Sequence, residues 1–362
     1  MSEDDEIDND ELSSPTCLRE VILNDFPKYL RTQDQASPAM TTDAEKSYPL
    51  HLPAVRYPTP HTTQTRLHTV DIWLPHHPAS SPAKDESLWV IYIHGGAWRD
   101  PAIDASSFQN TVNGLLHSET APSGSQTALS PTAANIAGLA SISYRLSPYP
   151  SHPTDPSSPS DPDRNVTHPA HLQDIRAALH YLQTRFRFGE RYILVGHSCG
   201  ATLGWQFLTS PMRLAAGETF DKPLGIVGVA GIYDLHALVE AHPDVPVYAD
   251  IVRGAFTTLD PARLSYSSPT ALVGANKVGE EWENGTAVVV VQSRDDGLVE
   301  ATQATRFTEV LQGAGWGKDP KKQLVCIWEK GVSHDELWQR ETGLSKAVKE
   351  GIRLVMDRNV SR

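Results

Sequence analysis

The sequence predicts an α/β protein built on a mostly parallel central sheet of about eight strands flanked by helices. Three observations carry that expectation. The apolar residues fall in short, often β-branched runs; helical stretches separate most of these runs; and one run passes into a helix through Gly196-His-Ser-Cys-Gly200. Near-continuous runs such as YILV (192–195), IVGVA (226–230) and VVVV (288–291) suit strands covered on both faces. Strands alternating with helices favour parallel pairing through crossover connections.

Taken in order, the strand-like runs are 67–74, 88–93, 136–144, 192–195, 224–230, 287–291 and 323–328. The clearest helix is 170–186, where Leu172, Ile175, Ala178, Leu179 and Leu182 share one face. Residues 200–208, 301–312 and 346–357 also have helical spacing. Three segments lack a core pattern. Residues 1–15 are acidic and poor in aromatics, so they bury too little surface to offset their ordering entropy, and a disordered tail and lead-in over 1–45 is expected. Residues 118–133 and 151–169 are rich in Ser, Pro and Thr and read as surface insertions in loops, because periodic structure resumes on either side. The remainder, 46–362, reads as one catalytic domain.

The charge points to no unusual partner. Of the net −13, seven acids with no base lie between Glu3 and Glu11, so the rest of the chain carries about −6. Nucleic-acid binding would call for clustered Lys and Arg. No apolar run approaches the ~20 residues of a membrane span, and the acidic start is the reverse of a secretory or mitochondrial leader. The three cysteines (Cys17, Cys199, Cys326) are too few and scattered for a disulfide framework. The expectation is a cytoplasmic protein; a homodimer is the assembly carried forward.

In sheets of this kind the chemistry sits at the carboxyl ends of the strands. The run Tyr192 to Ala201 is a strand, a Gly-x-Ser-x-Gly and the start of a helix. A serine on so tight a turn has a strained backbone that lifts its hydroxyl clear of the sheet, and its neighbours must be small where strand and helix cross. Ser198 is therefore the expected nucleophile. The Cys199 N–H, at the helix N-terminus, would face developing negative charge. The Cys199 side chain should point away from the cleft, as a small packing residue.

Further oxyanion donors are expected where the strand 88–93 ends in His94-Gly95-Gly96-Ala97-Trp98. Gly95 and Gly96 let backbone N–H groups approach a substrate oxygen; His94 reads as a loop-shaping residue rather than a base. The acid should follow the serine, and Asp295 and Asp296 both follow the VVVV strand. Asp296 is preferred because Val299, three residues on, can begin a packed face while the carboxylate points inward; Asp295 becomes a solvated loop acid. His334, in a loop after the last strand, is the only histidine beyond Asp296. In the mechanism these residues imply, His334 takes the Ser198 proton and Asp296 orients the imidazolium. No metal or cofactor is called for: H-E-x-x-H and Cys-x-x-Cys are absent, and His76-His77 lies in a Pro-rich loop.

His94-Gly-Gly-Ala-Trp98 with Arg99-Asp100-Pro101, Gly196-His-Ser-Cys-Gly-Ala201 and Gly231-Ile-Tyr-Asp-Leu235 resemble the kynurenine formamidases (arylformamidases) of the α/β-hydrolase superfamily, especially the fungal ones with an HGGxW motif. The resemblance covers 67–362, apart from the two insertions. It implies hydrolysis of N-formyl-L-kynurenine to L-kynurenine and formate, in tryptophan breakdown toward NAD precursors, with Ser198, Asp296 and His334 as the triad. Trp98 would then line the pocket for an aromatic substrate, with a core aromatic as the other reading. Three features depart from the pattern: Cys199 replaces a more inert residue, both insertions are long, and the second follows Tyr144-Arg-Leu-Ser-Pro148 at a strand's carboxyl end. The His-rich signature of the metal-dependent bacterial formamidases is absent. Two alternatives stand beside this reading. One is a carboxylesterase of the hormone-sensitive-lipase-like group, which usually has a third Gly where this chain has Ala97-Trp98. The other is a non-catalytic α/β-hydrolase-fold binding protein, a class that often loses a triad member.

Overall fold

Eight strands form one sheet in the order β1-β2-β4-β3-β5-β6-β7-β8. The computed structural model describes residues 48–59, 62–117, 129–209 and 221–357. The expected acidic tail and residues 118–128 of the first Ser/Pro-rich segment lie outside the described residues. The strands are β1 (Leu50–Arg56), β2 (Thr69–Leu74), β3 (Leu88–Ile93), β4 (Ile136–Ile142), β5 (Tyr192–His197), β6 (Gly225–Val229), β7 (Ala287–Ser293) and β8 (Gln323–Glu329). β1–β2 and β2–β4 are antiparallel, and the other pairs are parallel.

The helices of the described residues are α1 (Gln109–Leu116), α2 (Ala170–Phe186), α3 (Cys199–Thr209), α4 (Leu235–Ala241), α5 (Pro246–Phe256), α6 (Pro261–Ser265), α7 (Pro269–Gly274), α8 (Lys277–Glu281), α9 (Ala301–Gly313), α10 (Glu336–Gln339) and α11 (Glu341–Met356). Strand residues alternate between two cores, as the two-residue period of a strand requires. Trp89, Ile91 and Ile93 of β3 join the cluster containing Leu172, Ile175, Leu179, Leu203 and Phe307. Leu88, Val90 and Tyr92 join Phe108, Val112, Leu115, Val348 and Ile352 on the other face. The five residues assigned to one face of 170–186 are all buried.

Three expectations change. β1 is an edge strand at the start of the expected domain, in a stretch where the sequence marked no strand. Its Pro53 cannot donate to a ladder, which suits an edge, and its register breaks between Leu52 and Val55, where Ala54 has φ +49°. The final helix starts at Glu341 rather than 346. The segment 151–169 is a loop, but part of it packs inward rather than lying at the surface: Asp163 and Arg164 are buried. Leu146 N–H donates to the Asp163 carbonyl (2.7 Å), and Leu67 N–H donates to its carboxylate (3.0 Å). Within the first Ser/Pro-rich segment, Leu129 bridges to His117 and Pro131–Asn135 forms a 3-10 turn.

Residues 49–75 and 82–362 form one compact unit. Of the described residues, 48 and 76–81 fall in a second unit, where His77 Nδ1 accepts from Ala79 N–H (3.1 Å) to cap the turn Pro78–Ser80.

Candidate active site

β5 runs into α3 with only Ser198 between them. Ser198 has φ +54°, a left-handed conformation that L-residues adopt at a cost. Its N–H donates to Val229 O (2.9 Å) and its carbonyl accepts from Ala201 N–H (3.0 Å), so the turn is held from both sides. Gly200 is required by space: a Cβ there would overlap the Ile93 carbonyl oxygen and lie 2.6 Å from that of His94. Ser198 is 6 % exposed.

Cys199 is fully buried, and burial pushes its thiol up to about 11, so it stays protonated at neutral pH. Its Sγ accepts from Trp98 N–H (3.2 Å) and lies 3.6 Å from the Tyr144 hydroxyl. Here the departure from a more inert residue has a structural use, since the thiol ties the elbow to the glycine loop.

That loop follows β3. Gly96, Ala97 and Trp98 have φ of +91°, +51° and +59°, and the N–H groups of Arg99 (2.9 Å) and Asp100 (2.8 Å) close the turn on Gly96 O. A Cβ on Gly95 would stand 3.2 Å from the Ser198 Cβ, so the loop abuts Ser198. Among the described residues no backbone carbonyl accepts from the N–H groups of Gly95, Gly96 or Cys199. His94 is neutral, because burial lowers its pKa to about 4, and its Nδ1 lies 2.9 Å from Gly95 O. Its ring stacks on Tyr144 at 4.3 Å, and the Tyr144 hydroxyl donates to His94 O (3.0 Å). Trp98 is fully buried in the core and packs edge-on against Phe256 at 5.2 Å, the geometry of a core aromatic.

Asp296 and His334, in the loops after β7 and β8, meet. Asp296 Oδ2 is 2.8 Å from His334 Nδ1 and accepts from Gln292 Nε2 (3.1 Å); Oδ1 accepts from Leu298 (2.8 Å) and Val299 (2.9 Å) N–H groups. Burial pushes the carboxyl up, but the hydrogen bond and charge of His334, with the two N–H groups, outweigh it and leave the pKa low. Val299 is buried, as its expected place on a packed face requires. Asp295 is exposed but not idle: it accepts from Gly331 N–H (2.6 Å) and so anchors the loop that carries His334.

Sequence reasoning passed over three residues here. His197, in the elbow motif, places Nε2 3.1 Å from His334 O and its ring 4.6 Å from the His334 ring. Gln292 holds Asp296 and also donates to Val299 O (3.0 Å). Tyr144 supports the glycine loop. Only Gln292 left a signal, a buried-strand amide four residues before the acid. α5 also reaches the site, since the Tyr248 hydroxyl donates to Leu298 O (2.9 Å). The segment after β4 does too, with His152 Nε2 3.5 Å from Asp100.

No protein-family model matches the chain. It is 35% identical over 315 residues to the kynurenine formamidase-like hydrolase fscH of Fusarium equiseti, covering 86% of this chain and 97% of that one. It is 33% identical over 300 residues to the kynurenine formamidase avaC of Aspergillus versicolor, covering 78% and 94%. Among solved structures, a truncated carbohydrate esterase from gut microbiota superposes with a TM-score of 0.57 at 16% identity, covering 87% of this chain and 98% of that one. Esterase B from Lactobacillus rhamnosis gives 0.57 at 16%, covering 96% and 98%. At such identities the structural likeness establishes the fold alone.

Proposed function

The chain belongs to the kynurenine formamidase family of α/β-hydrolases, and from that membership we propose that it hydrolyses N-formyl-L-kynurenine to L-kynurenine and formate, with Ser198 as nucleophile, His334 as base and Asp296 as orienting acid. The observation that carries the reading is the 2.8 Å contact of His334 with Asp296, alongside a serine at φ +54° on a strand-to-helix turn.

In this reading Ser198 Oγ attacks the formyl carbon as His334 takes its proton. The N–H groups of Gly95, Gly96 and Cys199 hold the oxyanion. Collapse breaks the C–N bond, and the proton on His334 passes to the departing aryl amine. Water, deprotonated by His334, then attacks the formyl ester; formate leaves and Ser198 recovers its proton. Asp296 supports this chemistry by staying ionised, so it can face the imidazolium at every step. A cytoplasmic setting fits the free Cys199 and Cys326 thiols and belongs to the same reading.

The test is turnover of N-formyl-L-kynurenine against p-nitrophenyl acetate and butyrate, in wild type and Ser198→Ala. We expect formamide turnover that Ser198→Ala lowers by about a thousandfold or more, with loss of fluorophosphonate labelling. Turnover of the esters alone would support the carboxylesterase reading instead. Unchanged turnover in Ser198→Ala removes Ser198 from the mechanism.

A further inference from the structure

The cation of Arg99 lies on the loop beside this site, and among the described residues no carboxylate pairs with it. Arg99 follows Trp98 on the glycine loop and is 8 % exposed, and its guanidinium lies 4.0 Å over the Tyr149 ring. The carboxylates near it are engaged elsewhere. Asp100 accepts from Ala102 N–H and approaches His152, while Asp250 of α5 pairs with Arg253. Among the described residues no carboxylate forms an ion pair with Arg99, whereas Arg145 has Asp174 and Arg164 has Asp155. Burial lowers the Arg99 pKa, and the charges of Asp250 and Asp100, with a hydrogen bond to Tyr149, offset this only in part.

A guanidinium shielded from water is costly unless an anion pairs with it. The unpaired one here belongs to the loop whose Gly95 abuts Ser198. α5 brackets the same region, touching the acid loop through Tyr248 and Trp98 through Phe256. Tyr149 lies against a face of the guanidinium and takes one hydrogen bond from it, and the remaining N–H groups suit a planar acceptor such as a carboxylate.

We propose that Arg99 binds a carboxylate on the leaving-group side of the substrate. This rests on the formamidase reading in one respect: a formyl group has no side chain, so the carboxylate must be carried by the departing amine, as the α-carboxylate of N-formylkynurenine is. Trp98 is buried in the core, and its neighbour Arg99 supplies the recognition.

The test compares N-formyl-L-kynurenine with its decarboxylated analogue, N-formylkynuramine, on wild type, Arg99→Gln and Arg99→Lys. Wild type should prefer the acid by about tenfold or more in kcat/KM, mainly through KM. Arg99→Gln should bring the ratio close to one, and Arg99→Lys should keep part of it. A ratio unaltered in Arg99→Gln overturns the assignment and leaves the formamidase reading standing. If wild type cleaves neither formamide but does cleave aryl acetates, the formamidase reading fails. The ratio is then read on aryl acetates with and without a carboxylate on the phenol, where equal values in wild type and Arg99→Gln overturn the subsite. Should Arg99→Gln not fold, competition on wild type decides: L-kynurenine inhibiting no better than kynuramine overturns the proposal.

Discussion

At the scale of single residues, two histidines meet and only one is legible in the sequence. Chain order and loop position single out His334, and the choice of Asp296 over Asp295 follows from Val299; the structure joins the two at 2.8 Å. His197 gives no such sign, because the variable position of a Gly-x-Ser-x-Gly accepts many side chains. Burial, and then the neighbouring His334, push its pKa well below the usual value, so it is neutral. A neutral ring donating from Nε2 to His334 O holds His334 by its main chain and, in the proposed mechanism, adds no charge opposed to the imidazolium. Replacing it with Leu removes the donor; Gln returns an N–H at similar reach. We expect His197→Leu to lower kcat by about tenfold with little change in KM and an altered pH–rate profile, and His197→Gln to recover most of the loss. A pH–rate profile and kcat in His197→Leu matching wild type would remove this positioning role.

Elements differ in how clearly the chain announces them. Strands β3 to β7 are read from dense apolar runs because both faces are buried, and α2 from the consistent spacing of its apolar residues. The edge strand β1 carries Pro53 and a mostly exposed pattern, so hydrophobicity does not mark it. The helices between β6 and β7, α4 to α8, are mostly too short to show a period. Their signals are local instead: Asp234 and Asp260 cap α4 and α6, and Pro opens α5, α6 and α7. The β5–α3 crossing is the most constrained junction. Gly200→Ala should cost about 3 kcal/mol or more, since the added carbon meets the backbone of Ile93 and His94 rather than a movable side chain. Gly313→Ala, where nothing lies within 4 Å, should be neutral or stabilising by less than about 1 kcal/mol. Denaturant midpoints of the two variants check this; a similar effect for both would show that the crossing can relax.

Across the whole molecule, a buried charge cluster ties the segment before β2, the turn after β4 and helix α2 together. Asp174 Oδ2 accepts from Arg145 N–H (3.0 Å) and Nε (2.9 Å), and Oδ1 from Arg145 Nη2 (2.8 Å), with His68 Nε2 3.2 Å from Oδ1. His68 Nδ1 in turn accepts from Thr65 N–H (2.9 Å). One carboxylate thus fixes both the chain entering β2 and the turn leaving β4. Ser147, in that turn, donates its N–H to Trp98 O (2.8 Å), which carries the connection on to the glycine loop. Burial raises the Asp174 pKa, but hydrogen bonds and charge from His68 and Arg145 outweigh it, so the folded value lies below the ordinary one. For a carboxyl depressed in the folded state, the stabilisation is complete above the unfolded pKa of about 3.9 and is lost as pH falls through the folded value. Asp174→Asn should therefore lower stability by about 3 kcal/mol at pH 7, because the Arg145 cation is left without its partner. The gap between variant and wild type should hold down to about pH 4 and narrow below it. Urea unfolding of both proteins from pH 7 to pH 3 reads this directly. A gap that stays constant through that range would assign the loss to altered packing around the substituted side chain rather than to the charge of Asp174.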